Sequence, residues 1–270
     1  MIHPGLAGKY VYSLLSNPQI HKLREREKGV LDQAKQRMHP FNNFEVKCYS
    51  WGPEGGIPLF LIHGWEGHTG NFGALIEPLT QMGYHILGFD APAHGLSSPG
   101  RTDMLAYTQF LATMFTQYNP GVVISHSFGT MNTALALRSL IDYRLDHWIM
   151  IASPHTFESR IETVRKQYQV PQKTLDKLAT RFEHKSGESI SALNFEHYQA
   201  FLGNIKDVLI LHSLTDRVIP FRYAEQIQRS LKQSKLIALE NLGHFGILWS
   251  PQLLDHLLKH LSVSDIENKS

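Results

Sequence analysis

The sequence predicts an α/β domain in which a mostly parallel sheet is covered by helices, and three observations carry that expectation. Continuous apolar runs of strand length alternate with stretches of helical spacing along most of the chain. One decapeptide, Gly121-Val122-Val123-Ile124-Ser125-His126-Ser127-Phe128-Gly129-Thr130, reads as strand, sharp turn and helix, because an apolar run stops at small polar residues and an Ala/Leu-rich pattern begins. The alternation lapses between about residues 155 and 204, where three amphipathic stripes replace it.

In chain order, residues 1–40 hold apolar positions at helical spacing (Tyr10, Val11, Leu14, Leu15, then Val30, Leu31, Ala34) broken by Asn17-Pro18, which predicts an extension of two short helices. Residues 44–50 alternate as a strand does. Residues 57–62, Ile-Pro-Leu-Phe-Leu-Ile, run apolar throughout, as a strand buried on both faces should. A helix over 72–82 closes at Gly83, a strand over 84–90 follows, and Thr102 or Asp103 caps a helix reaching Tyr118. After the central strand and its helix comes the run 148–152. In the lapse, Phe157, Ile161, Val164 and Tyr168, then Leu175, Leu178, Ala179 and Phe182, then Phe195, Tyr198, Phe201 and Leu202 predict a helical insertion. The sheet resumes at 208–212 and 236–240, with a helix over 224–232 between them, and Ser250-Pro251 starts a last helix to Leu261. The expected organisation is a helical extension (1–40), a core (41–154 and 205–262), a helical cap (155–204) and a polar tail (263–270).

Composition narrows the function classes. With 270 residues, 42% hydrophobic, and a formal net charge of +2, the chain can bury a large core and offers no charge argument for nucleic acid or a membrane surface. The seven basic residues against three acidic ones in the first forty read as a solvated face. Cys48 stands alone, which excludes an internal disulfide and a cysteine-based zinc site. No apolar run approaches the ~20 residues of a membrane span, and the first residues lack a secretory pattern, so a cytoplasmic protein is expected.

In an open parallel sheet, functional groups collect where strands end and helices begin. Four strand ends here carry such groups: His63-Gly64-Trp65, Ser127, the segment around Asp216, and Gly243-His244-Phe245. A serine hydroxyl attacks well only if a base removes its proton, and histidine, with an ordinary pKa of about 6.5, suits that near neutral pH. His244 is the candidate base, Asp216 the carboxylate that would orient it, and Ser127 the nucleophile. The backbone N–H groups of Phe128 and Trp65 are the natural pair to hold a developing oxyanion. Asp146 is the rival acid, but it precedes its strand and so falls at the opposite edge. His63, His94 and His126 are read as hydrogen-bonding the loops around the pocket. Neither His63 with His68, nor His184 or His212, has the spacing and carboxylate of a metal site, so no metal is expected.

These residues together resemble the α/β-hydrolase superfamily over about residues 44–261. The resemblance rests on His63-Gly64, on Asp90-Ala91-Pro92-Ala93-His94-Gly95-Leu96-Ser97, on the elbow around Ser127, on the Asp216 segment and on Gly243-His244-Phe245. It implies the α/β-hydrolase fold with a cap over the site, Ser127 as nucleophile, Asp216 as acid, His244 as base, and Trp65 and Phe128 as oxyanion donors. It implies no cofactor and a small-to-medium carboxylic ester as substrate, with C–C, thioester or amide hydrolysis, or a ligand-binding homologue without turnover, as the alternatives. Family members that act on haloalkanes or epoxides carry aspartate at the elbow, unlike this chain. The departures are Ser125 and Ala93 where the family has glycine, and a sheet start lacking the usual leading hairpin.

Overall fold

The computed structural model describes residues 16–19, 22–140 and 142–267. The first helix expected around residues 10–15 lies outside the described residues. Helix α1 (Glu25–Asp32) is the second of the expected pair, and its Leu31 is buried.

The sheet opens with a hairpin that the sequence reading had excluded. Strands β1 (Lys35–Phe41) and β2 (Phe44–Trp51) pair antiparallel from Lys35 opposite Ser50 to Phe41 opposite Phe44. Thus the described part of the segment before residue 41 is part helix and part strand. The physical reason for the miss is that β1 is an edge strand, exposed or half-buried along its length, so it carries no alternating apolar signal. Pro40 is tolerated there, and Asn42 turns the chain at a left-handed φ of 51°.

Strands β3 (Ile57–Ile62), β4 (Tyr84–Phe89), β5 (Val122–His126), β6 (Leu145–Ile151), β7 (Ile205–Ser213) and β8 (Ser234–Leu239) complete a sheet of order β1-β2-β4-β3-β5-β6-β7-β8. The pairs from β4 through β8 are parallel, and β2 joins β4 antiparallel. Because side chains alternate across a strand, each buried strand feeds two cores. Phe60 and Ile62 of β3 and Val123 of β5 pack with helices α3 (Met104–Tyr118), α4 (Phe128–Ser139) and α8 (Arg222–Ser230) on one face. Leu59 and Leu61, with Val122 and Ile124, pack on the other with α1, α2 (Gly73–Gln81) and the C-terminal helix α9 (Pro251–Glu267). Each side chain so buried contributes about 1.5–3 kcal/mol relative to exposure.

Helix α9 runs past Leu261 into the segment expected as a tail. Its buried Leu253, Leu257 and Leu261 anchor it at helical spacing, and Lys259 bonds Asp255 one turn earlier. Among the described residues, no helix is long and apolar enough to cross a membrane.

Between β6 and β7 the chain forms α5 (Phe157–Tyr168), α6 (Gln172–Ser186) and the short α7 (Phe195–Tyr198). Thr156 and Asn194 cap α5 and α7 through their side-chain oxygens and bridge to each other. Gly187 ends α6 at φ 76°. Ion pairs Arg138–Glu188 and Lys185–Asp103 tie these helices to α4 and to the start of α3.

Candidate active site

Strand β5 lies inside the sheet between β3 and β6, and the turn at its end places Ser127 at the carboxyl edge. Ser127 holds φ 52° and ψ −126°, a strained conformation for a residue with a side chain. The strain is held from both sides. Ser127 N–H donates to Ile151 O at 2.9 Å, and Thr130 N–H donates to Ser127 O at 3.0 Å. Gly129 has no room for a side chain, since a Cβ there would stand 2.5 Å from His63 O and 2.6 Å from Ile62 O. Close packing of β3 against the start of α4 therefore demands glycine at this position.

Ser125, where a glycine was expected, is fully buried on β5 and has a specific use. Its hydroxyl accepts the Trp148 indole N–H at 2.8 Å and meets Thr130 Oγ1 at 3.0 Å, which in turn meets Ser153 Oγ at 2.8 Å. Ala93 stands at φ 64°, so an alanine adopts the left-handed conformation for which glycine is the ordinary choice.

The loops after β7 and β8 bring Asp216 and His244 to the serine. His244 Nε2 lies 3.0 Å from Ser127 Oγ, and His244 Nδ1 lies 2.7 Å from Asp216 Oδ2. The other carboxylate oxygen accepts the N–H groups of Val218 and Ile219 at 2.8 and 2.9 Å. Burial works against the charged carboxylate, but the bond to His244, the electrostatic attraction of that ring and the two amides outweigh it and hold Asp216 below the ordinary aspartate range. Ser213 fastens the two loops together: its hydroxyl donates to Leu242 O and accepts Leu242 N–H at 3.3 Å.

The chain at Gly64 runs against this turn. A Cβ on Gly64 would stand 3.0 Å from Ser127 Cβ and 3.4 Å from the Phe128 nitrogen. Among the described residues, neither Trp65 N–H nor Phe128 N–H donates to a protein acceptor, and Phe128 is the first residue of α4. His63 sets the loop. Its Nε2 accepts Ala91 N–H at 2.9 Å, so the proton sits on Nδ1, which donates to Gly64 O at 2.8 Å. Burial pushes His63 down to about 3, and the same cause acts on His94 and His126, so all three are neutral near pH 7. Asp90 organises the neighbouring loop by accepting Thr69 N–H and Leu96 N–H, each at 2.8 Å. Asp146 lies at the start of β6, beside Gly121, at the far edge of the sheet.

The alpha/beta hydrolase fold family matches this chain over residues 57–205, more than half its length. The chain belongs to that family. Membership in the alpha/beta hydrolase family supports hydrolase activity. The AB hydrolase superfamily protein YisY of Bacillus subtilis (strain 168) is 24% identical over 251 residues, 77% of this chain and 92% of its own. The serine hydrolase-like protein of Danio rerio is 39% identical over 54 residues, 20% of this chain, and the match spans only 16% of that relative. Among solved structures, a bromoperoxidase from Bacillus anthracis superposes with a TM-score of 0.65 at 18% identity, covering 84% of this chain and 100% of its own. A structure from a study of carboxylesterases of the thaumarchaeon Nitrososphaera gargenis gives 0.64 at 17%, covering 86% and 100%. The 2-hydroxy-6-oxo-6-phenylhexa-2,4-dienoate hydrolase of a Rhodococcus species gives 0.61 at 16%, covering 84% and 98%. At such identities the likeness is one of fold.

Within this hydrolase fold, His126, read from the sequence as bonding the loops around the pocket, does so: its Nε2–H donates to the His244 carbonyl at 2.9 Å, across 118 positions of sequence. Which loop it holds had no signal in the sequence. Nor had Ser213, because a serine at a strand end looks like any turn residue.

Proposed function

We propose that the chain is a serine hydrolase of small-to-medium carboxylic esters. The observation that carries the reading is the relay through His244, which lies 3.0 Å from Ser127 on one side and 2.7 Å from Asp216 on the other, on residues delivered by separate strands. In this reading Ser127 attacks the ester carbonyl as His244 Nε2 takes its proton. Asp216 holds Nδ1–H, which fixes the tautomer and stabilises the imidazolium as it forms. The Trp65 and Phe128 amides receive the oxyanion; one such donor is worth about 3 kcal/mol of barrier. His244 then returns the proton to the leaving alcohol, and water, activated the same way, releases the acid. No cofactor is required for these steps.

A run of aromatic rings supports an apolar acyl site. Trp65 meets Phe128 edge-on at 6.1 Å, Phe128 lies 5.9 Å from Phe157, and Phe157 stacks on Phe182 at 5.5 Å. The series leads from the oxyanion residues into the inserted helices, which we read as a cap.

The test is hydrolysis of p-nitrophenyl esters of graded acyl length by the wild type and Ser127→Ala, beside fluorophosphonate labelling. Turnover and labelling that vanish together in the variant support the esterase. Labelling without ester turnover at any length would move the assignment to C–C, thioester or amide hydrolysis, and no labelling would leave a ligand-binding homologue.

A further inference from the structure

At the amino edge of the sheet, remote from Ser127, His147 of β6, Asp207 of β7 and His260 of α9 converge. One ligand atom from each lies within 4.8 Å of the others, and among the described residues this is the group of three or more His, Cys, Asp or Glu so arranged. We propose that His147 Nδ1, Asp207 Oδ2 and His260 Nε2 bind a divalent transition-metal ion of the zinc type, which clamps the C-terminal helix to the sheet.

The placement follows from register. His147 pairs directly with Asp207 across the parallel β6 and β7, so both side chains leave the sheet on one face. Two residues along each strand, Ile149 and Leu209 enter the core that holds Leu253, Leu257 and Leu261 of α9. His260, three residues after Leu257, therefore meets the end of that apolar stripe. At this end the stripe changes from aliphatic side chains to metal-ligating ones.

The geometry suits coordination. His147 Nδ1 and Asp207 Oδ2 are 3.2 Å apart, close to the ~3.3 Å edge of a tetrahedron with metal–ligand bonds of about 2.0–2.1 Å. His260 Nε2 also contacts Asp207 Oδ2. The two imidazoles stand nearly perpendicular, at 85° with centroids 5.9 Å apart, so they reach the carboxylate from different directions. The His147 and His260 side chains are 6% and 14% exposed, whereas Asp207 is 30% exposed, which leaves an entry path and a position for water. Two imidazoles with one carboxylate favour zinc, cobalt or nickel over magnesium or calcium, which prefer all-oxygen shells. The site is distinct from the hydrolytic one: His147 pairs with Val122 at the start of β5, and Ser127 follows its end, about 13 Å along the strand.

The experiment uses the full chain without a polyhistidine tag, stripped with chelator, and titrated with cobalt(II) while its visible absorption is followed. Expected are one equivalent bound, displacement by zinc, and a melting temperature that rises when zinc is added. His147→Gln and His260→Gln should each weaken cobalt binding at least about tenfold. Should a variant fail to fold, the wild-type cobalt titration still decides. Absence of micromolar cobalt or zinc binding in the wild type overturns the proposal, as does binding unchanged in folded variants. None of these readouts depends on the ester hydrolysis proposed above.

Discussion

His126 holds His244 by its backbone: the buried Nε2–H of the first donates to the carbonyl of the second at 2.9 Å, with ring centroids 4.8 Å apart. His126 is the last residue of β5 and sits beside Ser127, so one strand end places the serine and also the loop that carries the candidate base.

His126→Ala leaves the His244 carbonyl without its donor and the loop without its tether. Turnover should fall by about 10–100-fold through misplacement of the imidazole, with KM nearly unchanged. Steady-state kinetics with the best p-nitrophenyl ester checks this; kinetics equal to the wild type would show that the loop holds itself.

Asp216→Asn keeps the shape of the side chain but removes the charge and favours the wrong His244 tautomer. A fall in kcat of about 10³–10⁴ is expected, as when the same exchange is made in a serine protease triad. The fold should persist, since the amide oxygen can still accept from Val218 and Ile219, and circular dichroism alongside kinetics separates the two effects. A nearly silent variant would mean that Asp216 is not the acid.

His63, His94 and His126 are pushed down to about 3, mainly by burial. Their folded pKa values lie below the unfolded ~6.5, so below that pH the unfolded chain binds more protons and stability declines as pH falls. Each histidine contributes a slope of up to about 1.4 kcal/mol per pH unit between roughly 6.5 and 3. Urea unfolding should therefore show a plateau above pH 7 and a steep loss towards pH 4.5. A flat profile across that window would contradict the burial of these rings.

Two glycine exchanges test the elbow. Gly129→Ala drives a methyl into the His63 and Ile62 carbonyls and should cost roughly 2–4 kcal/mol along with activity, whereas Gly203→Ala, which meets nothing within 4 Å, should be near neutral. Ser125→Gly restores the family's residue yet should destabilise by about 1–3 kcal/mol, because it strips the acceptor from the buried Trp148 indole. Chemical denaturation midpoints of the three variants decide the matter, and a stabilised Ser125→Gly would refute the hydroxyl's role.

Strands β3 and β5 were legible because both of their faces are buried, so that a continuous apolar run marks them and its end marks where Ser127 must stand. Strand β1 was not, since an exposed edge needs no apolar residues, and its Met38 and Pro40 look like linker. The length of α9 was hidden because its last buried anchor, Leu261, is followed by a mostly polar stretch in which only Val263 and Ile266 are apolar. At the site, residue types at strand ends pointed to Ser127, Asp216 and His244, whose hydrogen-bonded contact is a matter of distance. The sequence read His126 as a loop-bonding histidine, but its particular partner, the His244 carbonyl, was illegible, as was the pairing of His147 with Asp207 at the opposite edge, because both depend on register between segments distant in sequence.

The order in which the sheet is laid down has a consequence during synthesis. Ser127 is delivered by β5, but Asp216 and His244 follow β7 and β8, so a growing chain exposes its serine long before the partners exist. A ribosome-bound or truncated chain ending before β8 should not react with a fluorophosphonate. Capture of Ser127 by such a probe would then mark, molecule by molecule, the closing of the last parallel strands, the slow long-range step in folding such a sheet.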